Sequence, residues 1–127
     1  MDPQEVSNRI WNRALGEAGA ARRAGDMALR ALLVFHSEAM HAGVLYALRS
    51  LSPEQLTAAQ DGYRFFGFDA VADLIASPVD EDEDLDESDV RESELDNAYD
   101  AVVPLDGTIT RAFEAHRLSH PELYAPL

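Results

Sequence analysis

Apolar and polar positions recur with helical spacing along most of this chain. Asp2, Pro3, Gln4 and Glu5 supply an N-cap, a first-turn proline and a glutamate at the capping-box place. Val6, Ile10 and Ala14 follow at fourfold spacing, with Trp11 and Leu15 beside them. Gly16, Gly19 and Gly25 predict a break after this first helix. A second helix, from about Asp26, is the most apolar: Leu29, Leu32, Leu33, His36 and Met40 share a stripe that Val34 and Phe35 widen. Such a helix is expected at the centre of a core.

Gly43 is expected to interrupt it before Val44, Leu45, Ala47 and Leu48. Ser52-Pro53-Glu54-Gln55 is the clearest helix start in the chain, with Leu56, Ala59, Tyr63 and Phe66 inward and Gly67 as the stop. A short helix over Asp69 to Ala76 buries Val71, Leu74 and Ile75 and ends before Pro78. Another starts at Ser93, carries Leu95, Ala98, Tyr99 and Val102, and stops at Pro104. Asp106 is expected to cap the last helix, which holds Ile109, Ala112, Phe113 and Arg117 and ends at His120-Pro121. No stretch alternates with period two. The pattern predicts an all-α, compact single-domain bundle of five to six helices over residues 1–127, with 78–92 as one acidic, mobile loop.

Charge changes this picture in one place. Of the formal −14, the segment Asp80 to Asp100 contributes −11 through twelve carboxylates and one Arg, so the rest of the chain is nearly balanced. An anionic surface has no counterion release to offer a polyphosphate and is repelled by anionic lipid, which argues against direct nucleic-acid or membrane binding. Basic proteins and cations are the favoured partners. The chain has no cysteine, hence no disulfide framework and no thiolate chemistry. Its longest apolar run, Ala31 to Phe35, is too short to cross a bilayer, and its N-terminus lacks a basic region followed by an apolar run. A cytoplasmic protein is expected.

The order of "EAMHAGVLYAL", "AAQDGYRFFGFDAVADLIA", "LDNAYDAV" and "AFEAHRLSHPELY" resembles a bacterial all-helical family of largely unknown function. That family includes an acidic DNA-mimic protein, which binds a transcription factor in place of DNA. The resemblance runs from Ser37 to Tyr124. It is carried best by Leu95-Asp96 with Tyr99, and by His120-Pro121-Glu122 before Tyr124. Where the family tends to show Asn-Gly-Gly and an aromatic, this chain has His41, Ala42, Gly43 and Val44, so only the one glycine is kept. The resemblance implies a helical fold and, by extension, mimicry of DNA.

The candidate chemistry is sparse. Asp80, Asp82 and Asp84 have the opening spacing of a calcium loop, which also needs Gly at its sixth place and Glu at its twelfth. Counted from each aspartate in turn, those places hold Leu85 and Arg91, Glu87 and Ser93, or Asp89 and Leu95, so every register fails. Glu38 and His41 form one Glu-x-x-His pair, with His36 nearby, but a di-iron bundle needs two such pairs and two further glutamates. His116 and His120 have the i, i+4 spacing of zinc ligands, although Pro121 marks the helix end there. There is no Gly-x-Ser-x-Gly and no phosphate-binding glycine loop.

One ordered feature remains in the acidic segment. On a helix, Asp89, Glu92, Asp96 and Asp100 step by three, four and four residues and form a row of carboxylates. With Glu94, these are the candidate partner-binding residues. The leading expectation is a non-enzymatic module without cofactor that offers this face to a basic protein, such as a DNA-binding protein at its DNA site. Two alternatives stand beside it: an immunity-type inhibitor of a basic toxin or nuclease, and a small helical metalloenzyme using His36, Glu38 and His41. A homodimer through Ile10 and Trp11 is the alternative to packing them in the core.

Overall fold

The computed structural model describes residues 2–16, 23–77 and 85–127, with the backbone alone at 85–88 and 106. Among the described residues seven α-helices follow one another: α1 (Pro3–Leu15), α2 (Ala24–Ala42), α3 (Val44–Ser50), α4 (Pro53–Phe65), α5 (Asp69–Ala76), α6 (Leu85–Val102) and α7 (Asp106–Ser119). A 3₁₀ turn over Pro121–Leu123 leads into the C-terminal segment. No strand occurs among the described residues.

Two helix starts form as their local chemistry dictates. The Asp2 carboxylate accepts from Glu5 N–H at 2.8 Å. Ser52 and Gln55 close a reciprocal capping box, with Gln55 N–H donating to Ser52 Oγ at 3.1 Å and Ser52 N–H to Gln55 Oε1 at 2.9 Å. The last helix differs from expectation, because its N-cap is Leu105 and Asp106 is already helical.

Helix α2 is the hub. Its Leu29, Leu32 and Phe35 are fully buried, and α1, α3 and α4 pack around it. Helices α2 and α4 approach so closely that a Cβ on Gly62 would lie 2.5 Å from the Ala28 carbonyl oxygen. Helix α5 rests against α4 and α6, and α6 also packs on α3. Helix α7 closes over α1: Arg117, itself buried, donates to Ser7 Oγ at 2.9 Å and to the Pro3 carbonyl at 3.1 Å. Trp11 is half-buried, with its ring centroid 5.8 Å from that of Phe113, and Ile10 is buried, so both belong to the chain's own packing.

The C-terminal segment is clamped from beneath by a buried charge. Asp26, 1% exposed, accepts from Arg13 Nη2 at 2.6 Å and from Ala125 N–H at 2.7 Å. Arg13 continues to the carbonyls of Ala125 and Pro126, at 3.0 and 3.1 Å. A buried carboxylate needs such pairing to stay charged.

Three expectations are corrected. The acidic loop assigned to 78–92 is helical from Leu85 onward, so α6 begins eight residues before the expected start at Ser93; residues 78–84 lie outside the described set. The half-buried Arg91 stands one turn before Leu95, where an apolar residue would have extended the inward pattern. Its aliphatic stem can cover core surface, which a count of apolar residues does not register. The helices among the described residues number seven, because Gly43 ends α2 and the chain restarts as a separate α3. Met40 does not continue the α2 stripe: it is 52% exposed, and Ala39 is the buried residue of that turn. At about 100° per residue, positions 39 and 40 fall on opposite flanks of the stripe through His36, and only the neighbours decide which flank is covered.

Candidate acidic interface on helix α6

Helix α6 is mostly polar outside and held to the core at three points. Leu95, Tyr99 and Val103, the last at its end, face inward and are buried. The Tyr99 hydroxyl lies 2.6 Å from His36 Nδ1 on α2 and 2.6 Å from the Tyr63 hydroxyl on α4. A phenol can donate one hydrogen bond and accept others, so Tyr99 joins three helices through one oxygen. Burial, and then the adjacent Tyr99, raise the Tyr63 pKa well above its ordinary range, which keeps this phenol neutral.

A second attachment runs through charge. Gly43 takes φ +97°, a conformation that side chains rarely adopt, and there the chain leaves α2 and starts α3. A glycine N-cap has no side chain to receive the first N–H groups of the new helix. The Asp96 carboxylate on α6 does this instead, accepting from Val44 N–H at 2.9 Å. The positive end of a helix also favours a carboxylate there. Glu92, one turn earlier, approaches the same junction: its Oε1 lies 3.7 Å from where a Cβ on Gly43 would be.

These contacts decide where the expected carboxylates stand. Asp89, Glu92 and Asp100 are exposed and Asp96 is half-buried; all four lie on one flank of α6. Glu94 is exposed but falls about 140° away from Asp89 around the helix, so it does not join the row. Beside the row runs an open groove of about 270 Å³, lined by Ala39, Met40, Gly43, Val44, Asp96, Tyr99 and Asp100. Its apolar floor and carboxylate edge suit an aliphatic stem ending in a cation.

Sequence reasoning found the row and missed its supports. The cap from Asp96, the groove beside Met40 and the link from Tyr99 to His36 and Tyr63 all join residues far apart in the chain. Gly43, at a helix break followed by an uncapped apolar run, was the one local sign that a cap must come from elsewhere.

The other expected constellation does not assemble. His36 is buried with its Nδ1 against Tyr99, Glu38 is half-buried, and His41 is exposed near the end of α2. Among the described residues no group of three or more His, Asp or Glu side chains gathers as a metal site. No described helix is long and apolar enough to cross a membrane.

No protein-family model, curated protein or solved structure matches this chain. The resemblance drawn from the sequence therefore rests on its motifs alone.

Proposed function

We propose that this protein is a non-enzymatic binding module whose α6 carboxylate row engages a basic protein surface of the kind that DNA-binding proteins present to phosphates. The observation that carries this reading is the double fixation of α6: Tyr99 ties it to His36 and Tyr63, and Asp96 caps α3 at Val44. Charges on a solvated loop must be ordered when a partner binds, at an entropic cost for each immobilised side chain. Charges on an anchored helix keep a regular spacing before the partner arrives. Asp89, Glu92 and Asp100 project from that helix to solvent, and the Met40 groove offers an apolar seat beside them. Recognition of this type is steered by long-range charge, fast at low salt and weakened as salt rises.

The test is capture of host proteins on the wild-type protein and on the triple variant Asp89→Asn, Glu92→Gln, Asp100→Asn, with duplex DNA as the competing eluent. The expected result is a basic protein retained by the wild type, lost with the triple variant and displaced by DNA at constant ionic strength. Retention unchanged by the triple variant, or by DNA, sinks the reading.

A further inference from the structure

We propose that His116 and His120 form a two-imidazole site for a divalent cation of the zinc type, at the junction of α7 and the C-terminal segment. The site is separate from the acidic face and draws on none of its residues.

The backbone keeps the two histidines one helical turn apart. His120 closes α7 as its C-cap, and its N–H still donates to the His116 carbonyl at 2.8 Å, so the i, i+4 spacing persists although Pro121 follows. This spacing sets two imidazoles on one face, as in helical zinc sites. The two ring centroids are 4.9 Å apart with their planes inclined by 39°. An imidazole ligating through Nε2 at about 2.1 Å has its ring centre about 3.2 Å from the metal, and two rings at a tetrahedral angle have centres about 5.2 Å apart. The observed separation is already close to that value.

The outer contacts have the polarity such a site needs. His116 Nδ1 lies 2.9 Å from the Tyr124 hydroxyl. His120 Nδ1 lies 3.6 Å from Glu122 Oε1. Metal-bound histidines ordinarily give their second N–H to an oxygen of this kind, which fixes the tautomer and aims the other nitrogen at the metal. Both Nδ1 atoms thus face oxygen, and both Nε2 atoms lie outside these contacts. The Phe65 ring, with its centroid 4.4 Å from that of His116, and the Phe66 ring, at 5.5 Å, restrict how His116 can turn.

Two imidazoles leave the remaining coordination positions to water. The ligand is a cation with nitrogen affinity, zinc or its transition-metal neighbours, rather than magnesium or calcium.

The experiment is calorimetric titration of untagged protein with zinc chloride at pH 7.5, with magnesium chloride in parallel and thermal unfolding with and without zinc. The expected result is one zinc per chain, a higher midpoint with zinc, and no equivalent effect of magnesium. His120→Ala, at an exposed position, and His116→Gln, which keeps an amide beside Tyr124, should each weaken zinc at least about tenfold. Absence of zinc binding overturns the proposal, as does zinc that binds His120→Ala as tightly as the wild type, since it would then reside on the carboxylates.

Discussion

Asp96 Oδ1 on α6 accepts the Val44 N–H of α3 at 2.9 Å, across 52 residues of chain. One carboxylate thus belongs both to the acidic row and to the fold. Loss of a helix cap costs about 1 kcal/mol, within a range of about 0.5–2. Asp96→Ala should therefore lower the urea midpoint by that equivalent. Asp89→Asn and Asp100→Asn, at exposed positions, should each stay within about 0.5 kcal/mol of wild type. A destabilisation by Asp100→Asn equal to that of Asp96→Ala would contradict this division of labour.

Tyr99→Phe removes a single oxygen from between His36 and Tyr63. Each of those buried groups then loses a partner, and the expected cost is about 1–3 kcal/mol. The readout is hydrogen exchange: protection should fall in α6 from Leu95 onward more than in α1. Uniform loss across both helices would show that Tyr99 supports the fold in general and α6 no more than the rest.

The Asp26 carboxylate is the deepest charge described, and it holds both Arg13 and the Ala125 backbone. Removing one partner of a buried ion pair leaves the other uncompensated, at about 3–5 kcal/mol. Asp26→Ala should lose this much stability and should also open the C-terminal segment to carboxypeptidase. A variant with wild-type resistance to the peptidase would refute the clamp.

The lowered pKa of His116 predicts acid sensitivity with a defined sign. Its folded pKa lies below the ordinary 6.5, so the unfolded chain takes up the proton first as pH falls. The contribution is complete above the unfolded pKa and is lost as pH falls from there through the folded pKa. Unfolding midpoints measured from pH 7.5 downward, without metal, should decline below about 6.5, where carboxylates are still ionised. His116→Gln should flatten that decline. An identical slope in the variant would assign it to another group.

The ends of several elements were legible because they are local. The Ser52–Gln55 capping box, the Gly43 break and the stop at His120-Pro121 each depend on residues within a few positions of one another. The inward residues of α2 from Leu29 to His36 were equally legible, since a stripe that apolar is buried whatever covers it. Met40 and the start of α6 were not. One depends on which neighbour covers the last turn of α2, the other on backbone hydrogen bonds whose residues carry few apolar side chains.

The sequence by itself determined an all-α chain with its excess negative charge gathered in one segment, because helical periodicity and net charge are properties of order and composition. The tertiary structure alone decided that most of those carboxylates on α6 stand in solvent while Asp96 turns back to cap α3. That choice depends on an unsatisfied N–H created by Gly43, 53 residues away in the chain and adjacent only once α6 has packed against the core.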